Sequence, residues 1–375
     1  MITRTFVSRP SADAPRAGAG GHPCQGLYHA PEGVRPRVAL IATHYQIDFA
    51  EHYLAGLMAE RGIGFLGWNT RFRGYEWNFR LDQALVDIGV GVRWLREEAG
   101  VDSVVLLGNS GGGSLMAAYQ AQAVDPALRP PIGHGPVPGV DELPAADGYV
   151  SLAAHLGRPD VLTAWMDAAV VDEFDPVATD PSLDLFNPEN GPPYSAEFIE
   201  RYRRAQVDRN HRITAWAKAE LARLTEAGYY DRHFTVPRTW ADPRMVDPAL
   251  EPTDRKPNSC YRGSVEAANR GDRGIAGETT VRNWLNMWSL SESPCRGEAN
   301  LTKVTVPSLI INPTGDTGVF PSDADRIADA LAGEDKTRRD HLGDHYFLEP
   351  EGARDAVADT IADWLATRFG SESTP

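Results

Sequence analysis

One stretch constrains this chain more than any other, Val104-Val105-Leu106-Leu107-Gly108-Asn109-Ser110-Gly111-Gly112-Gly113-Ser114-Leu115. An apolar run of strand character stops at Gly-Asn-Ser-Gly-Gly, and a helix-like segment follows. The pattern G-x-S-x-G falls on Gly108, Ser110 and Gly112. A serine at a tight strand-to-helix turn sits in strained backbone, and side chains on its neighbours would collide. The free N–H groups at the start of the following helix would face the same spot, which suits a developing oxyanion. Such a turn needs a buried parallel strand before it, so the rest of the chain must supply a sheet.

The flanking sequence does so. Arg37–Thr43, Ile63–Trp68, Val101–Gly108 and Gly148–Ala153 are short apolar runs, the signature of strands buried on both faces. Helices are expected between them. Phe49–Arg61 carries Tyr53, Leu54, Leu57 and Met58 on one face; Leu81, Leu85, Ile88, Val92 and Leu95 recur at helical spacing; Gly111–Val124 leaves the serine turn. Two earlier strands are expected at Thr3–Ser8 and Gln25–Ala30, with a loop between them. This alternation predicts an α/β fold, a mostly parallel, doubly wound sheet.

The alternation lapses after Ala153. Over His155–Thr302, Asp, Pro, Arg and Trp dominate. Ser195–Glu226 reads as one long helix or two joined ones, and Thr279–Leu290 as another. Asp231–Gly277 shows little periodicity. Strand logic resumes at Val306–Asn312 and Thr337–Leu342, with helices at Ser322–Leu331 and around Val357, Ile361, Trp364 and Leu365. Residues 370–375 are expected to fray. The division expected is a core of residues 1–154 and 303–375, with a cap at 155–302.

A serine nucleophile needs a base, and that imidazole needs an orienting acid. Open α/β sheets place such groups in loops after strand ends. Asp316 follows the strand Val306–Asn312, and His345 follows Thr337–Leu342, in the chain order Ser, Asp, His. Asp172, Asp175 and Asp340 are lesser acids, and His341 and His155 lesser bases.

Three segments together, Gly108-Asn109-Ser110-Gly111-Gly112, Asn312-Pro313-Thr314-Gly315-Asp316 and Gly343-Asp344-His345-Tyr346, give a chain that resembles the α/β-hydrolase family. The likeness covers roughly residues 25–155 and 303–369. It implies Ser110 as nucleophile, His345 as general base and then acid, and Asp316 as orienting acid. The oxyanion hole it implies is the N–H of Gly111 with that of Tyr45, in His44-Tyr45-Gln46. The family often has His-Gly at that loop; Tyr45 replaces the glycine. In the segment Asn69-Thr70-Arg71-Phe72-Arg73-Gly74 the family's arginine mostly braces loops, and Arg73 is a further candidate for holding a carboxylate.

The residues over 155–302 correspond to the family's cap. Its aromatic content suggests a lid over a mainly apolar pocket, with His44, His155, Trp165, Trp216, Trp284 and Trp288 as candidate substrate contacts. The reaction this implies is hydrolysis of a carboxylic ester or lactone of a mainly apolar small molecule through an acyl-enzyme. An amide comes second and a carbon–carbon bond third, since some meta-cleavage product hydrolases share Gly-Asn-Ser-x-Gly-Gly. The non-enzymatic alternative is a ligand receptor or scaffold.

Net charge is −15, which disfavours nucleic acid and anionic membrane surfaces as partners. Hydrophobic residues at 42% and charged residues at 24% fit a globular chain with a sizeable core. Cys24, Cys260 and Cys295 match no metal spacing and no disulfide framework, so neither metal nor cofactor is expected, and a reducing, cytoplasmic setting fits. No secretory signal or membrane span is read in the sequence. The charged run Glu200–Arg212 reads as a solvated helix face or as a contact between two copies in a homodimer.

Overall fold

The computed structural model describes residues 1–12 and 23–370. Most of the loop expected before the second strand, and all but Gly370 of the frayed end expected at 370–375, lie outside the described residues.

Among the described residues, eight strands form one sheet. In chain order they are β1 (Ile2–Arg9), β2 (Cys24–Pro31), β3 (Val38–Ala42), β4 (Gly64–Asn69), β5 (Ser103–Asn109), β6 (Gly148–Leu152), β7 (Ser308–Pro313) and β8 (Lys336–His341). Their spatial order is β1-β2-β4-β3-β5-β6-β7-β8. β1 pairs antiparallel with β2, and β2 with β4; every other pairing is parallel. The serine strand β5 is therefore central, flanked by β3 and β6.

Strand geometry explains why these runs are continuously apolar. Val104 and Leu106 face one side of the sheet, where α2 (Leu81–Glu97) and α3 (Gly112–Val124) bury Ile88, Val92 and Leu115. Val105 and Leu107 face the other, against Val357, Ile361 and Leu365 of the last helix, Ala353–Phe369. Each such side chain contributes about 1.5–3 kcal/mol relative to exposure. Among the described residues, no helix is long and apolar enough to cross a membrane.

Two helices differ from expectation. The first, α1, runs only Ala55–Glu60. Side chains intercept the backbone before it: Asn69 Oδ1 accepts from the Phe49 N–H, Asp48 Oδ1 from the Ala50 N–H, and His52 Nδ1 from the Leu54 N–H. At 278–290 there is no long helix. Glu278–Thr280 pairs as a strand with His233–Thr235, and a short helix then opens into a wide turn over Trp284–Trp288. The Ser289 N–H reaches the Trp284 carbonyl, five residues back, and both indoles are buried.

Between β6 and β7 the chain is mainly helical. It holds α4 (Arg158–Trp165) and one unbroken helix, α5 (Ala196–Glu226), whose N-cap Ser195 accepts from the Phe198 N–H. The nominally aperiodic 231–277 contains a two-residue ribbon, Ser259–Cys260 with Gly263–Ser264. Trp165, Leu185, Phe198, Tyr202, Trp240 and Met245 form a cluster of their own in this insertion. Ile213, Leu221 and Trp284 instead join the apolar cluster on the α2/α3 face, so the insertion is seated firmly on the sheet.

Candidate active site

Ser110 follows β5 directly and has φ of 57°, a left-handed conformation unusual for a residue with a side chain. Its surroundings hold it there. The Ser110 N–H donates to the Leu152 carbonyl (3.1 Å), while the Ser110 carbonyl accepts from the N–H groups of Gly113 and His155 (3.1 Å each). Gly112 is required by close approach: a Cβ there would stand 2.3 Å from the Thr43 carbonyl oxygen. Asn109 points away from the reacting face, donating to the Leu152 carbonyl (2.9 Å) and lying 3.1 Å from His52 Nε2. In this chain it braces the turn.

Asp316, in the loop after β7, and His345, in the loop after β8, are both buried and lie side by side, with Nδ1 2.6 Å from Asp316 Oδ2. The other carboxylate oxygen accepts from the N–H groups of Gly318 (2.8 Å) and Val319 (3.1 Å) and from the Tyr261 hydroxyl (3.0 Å). Burial works to raise the pKa of Asp316, but His345 and the two N–H groups outweigh it and hold the carboxyl below its ordinary value. It is therefore a carboxylate at neutral pH. Tyr261 also lies 2.9 Å from Nδ1. Burial, then Asp316, push its phenol well above the ordinary value, so it remains a donor. It comes from the turn between Ser259–Cys260 and Gly263–Ser264, and no local periodicity marked it beyond its aromatic character.

His345 reaches the serine turn by way of His155. The two imidazole centroids are 6.2 Å apart, and the His155 N–H holds the Ser110 carbonyl. Among the described residues the Ser110 hydroxyl itself makes no hydrogen bond to His345. Burial, then the neighbouring His345, lower His155 to about 3, so it is neutral near pH 7. His341 is elsewhere, with Nε2 3.0 Å from the Thr360 hydroxyl. Asp172 and Asp175 cap exposed turns, and Asp340 accepts from Asn312.

On the oxyanion side, the N–H groups of Tyr45 and Gly111 have no hydrogen-bond partner among the described residues. The Tyr45 ring packs on Phe79 (4.8 Å), and its hydroxyl meets the Ser114 hydroxyl (3.1 Å). His44 Nδ1 accepts from the N–H groups of Gln46 and Ile47 (3.3 Å each), which leaves the ring proton on Nε2. Burial, then Arg158, keep its pKa well below the ordinary value, so His44 is a neutral donor.

Arg158, at the start of α4, carried no signal in the sequence. Its guanidinium is buried over the Tyr45 ring (5.1 Å) and the Trp288 ring (4.5 Å), and it pairs with Glu76. Arg71 instead bonds buried Asp87 (2.7 Å), and Arg73 pairs with Asp48 where both are half-exposed.

The candidate tryptophans divide. Trp165 meets His155 edge-on (5.3 Å) and lies 5.8 Å from Tyr261, beside the Asp316–His345 pair, and Trp288 carries Arg158. Trp216 and Trp284 both pack on Phe234, and Trp284 donates to Thr214, so these two join the insertion to the apolar cluster on the α2/α3 face. A cavity of about 410 Å³ beside His155 and Trp165 is walled by Arg203, Arg244, Glu251 and Asp323. Leu156, Val161, Val207 and Leu290 complete the wall, and Trp165 stacks on Trp240 (4.7 Å). Among the described residues, no three His, Cys, Asp or Glu side chains are grouped as metal ligands would be.

Neither a sequence-family model nor a curated protein matches the chain. Solved structures do. The α/β hydrolase GrgF from Penicillium sp. sh18 aligns over 98% of this chain and 100% of its own, with TM-score 0.55 and 14% identity. DcsB, solved with its substrate analogue, aligns over 98% and 100%, with TM-score 0.52 and 14% identity. Est1E from Butyrivibrio proteoclasticus aligns over 93% and 95%, with TM-score 0.50 and 11% identity. Strand order, the turn at Ser110 and these alignments agree: the chain has the α/β-hydrolase fold.

Proposed function

We propose that this chain is a serine hydrolase that transfers an acyl group to water, a carboxylic ester or lactone being the substrate. The observation that carries this reading is Ser110, held at φ 57° at the end of the central strand, on the side of the sheet where Asp316 and His345 are joined at 2.6 Å. His345 Nε2 takes the Ser110 proton as the oxygen attacks the acyl carbon, and Asp316 holds the tautomer that leaves Nε2 free to accept it. The N–H groups of Gly111 and Tyr45 receive the tetrahedral oxyanion. His345 returns the proton to the departing alkoxide. It then deprotonates the water that attacks the acyl-Ser110 ester, releasing the acid and regenerating the hydroxyl.

Mixing the protein with p-nitrophenyl acetate tests this. A stoichiometric burst of nitrophenolate, absent in Ser110→Ala, and fluorophosphonate labelling of Ser110 are expected. No burst and no labelling would sink the hydrolase reading and leave a ligand receptor of hydrolase fold.

A further inference from the structure

Gly111 follows the nucleophile and has no side chain. The point where its Cβ would stand is 2.8 Å from His44 Nε2 and 3.1 Å from Arg158 Nη1. Both nitrogens thus pack against the backbone of Gly111, beside its own unpartnered N–H. Both orientations are fixed. His44 is locked by the two backbone N–H groups on its Nδ1. Arg158 is clamped between Tyr45 and Trp288, and its backbone N–H is tied to the Cys295 carbonyl (3.2 Å).

Arg158 is only 4% exposed, yet its hydrogen bonding is incomplete. Nη2 meets Glu76, Nε is buried with no partner, and Nη1 has none among the described residues. A buried guanidinium kept solely as a structural strut would use its whole fork. The carboxylates nearby are already engaged. Glu76 holds Arg158 and accepts from Gln46 Nε2 (3.0 Å), and Asp316 holds His345, Tyr261 and two N–H groups. His44 and His155 are neutral rings. Arg158 Nη1 and the N–H of His44 Nε2 are the donors left unspent.

Resting on the serine hydrolase reading, we infer that Arg158 Nη1 and His44 Nε2 form a carboxylate-binding subsite beside Ser110, so that the preferred substrate carries a carboxylate close to its scissile acyl group. Arg73, the arginine that the sequence offered for this task, is turned to Asp48. The planar guanidinium gives one oxygen of the carboxylate a direct donor, and the neutral His44 gives it a second without a competing proton.

A matched ester pair reads this directly: mono-p-nitrophenyl glutarate, which carries a carboxylate, against p-nitrophenyl valerate, its neutral counterpart. Wild type should favour the glutarate ester by about tenfold or more in kcat/KM, mainly through KM. In Arg158→Gln the ratio should fall to about one. Because that variant leaves Glu76 buried without its cation, the double variant Glu76→Gln/Arg158→Gln, which removes both charges, is measured beside it and should show the same collapse. The inference is overturned if wild type prefers the neutral ester, if the double variant keeps the wild-type ratio, or if both esters lose equally through kcat. If neither ester is turned over and Ser110 resists fluorophosphonate, it is the hydrolase reading that fails. Calorimetric titration of glutarate then decides the subsite alone: saturable binding to wild type that the double variant loses supports it, and no binding overturns it.

Discussion

Acid should weaken this protein through a histidine placed behind the Ser110 turn. His52 is buried among Phe49, Tyr53 and Phe65, with ring centroids 5.0, 4.3 and 5.3 Å away. Its Nδ1 accepts from the Leu54 N–H and its Nε2 lies 3.1 Å from Asn109 Oδ1. A proton added at Nδ1 would remove that acceptor and charge an aromatic nest, so burial lowers its pKa from 6.5 to about 4. The unfolded chain therefore binds this proton more readily than the folded one. Stability from this source is intact above pH 6.5 and declines as pH falls from there toward 4. At about 1.36 kcal/mol per pH unit, the loss reaches roughly 2 kcal/mol by pH 5. Urea unfolding of wild type and His52→Gln at pH 7.5, 6 and 5 measures it. The variant should be less stable at pH 7.5 because it loses the ring packing, and the gap should narrow by about 2 kcal/mol at pH 5. A gap that stays constant with pH would refute the reasoning.

Other outcomes follow from single contacts. Tyr261→Phe removes one donor from Asp316 and should lower kcat about tenfold with KM little changed, since a charged hydrogen bond contributes roughly 1.5 kcal/mol; steady-state kinetics with an intact burst amplitude would show it. Gly112→Ala forces a methyl to 2.3 Å from the Thr43 carbonyl and should cost about 1–3 kcal/mol, read as a lowered urea midpoint, with loss of turnover as the Ser110 turn shifts. Arg71→Met strands the fully buried Asp87 and should cost about 3–5 kcal/mol in chemical unfolding.

The strands were legible because burial on both faces demands unbroken apolar runs, and β5 and β7 offered them. Helix α2 was legible because Leu81, Leu85, Ile88 and Val92 must share one face. Ser110, Asp316 and His345 could be picked out because each stands just past a readable strand end. The start of α1 was hidden: Asn69, from the next strand, takes the Phe49 N–H, and no local rule sees that bond. Tyr261 and Arg158 were hidden for the same reason at longer range. Each meets the triad region from a segment whose position is set by packing, with partners 55 and 82 residues away in sequence. Composition could count the insertion's tryptophans but could not set Trp165 and Trp288 beside His155 and Arg158 and Trp216 and Trp284 on Phe234, because those partners come from distant segments.

Tyr261 has a mechanical consequence. It belongs to the insertion, yet its hydroxyl is seated between the acid and the base of the core. Any motion that lifts this turn by more than the reach of a hydrogen bond takes a donor from Asp316 and a neighbour from His345. The hydrogen bonding of Asp316 and the surroundings of His345 are thus tied to where the insertion sits.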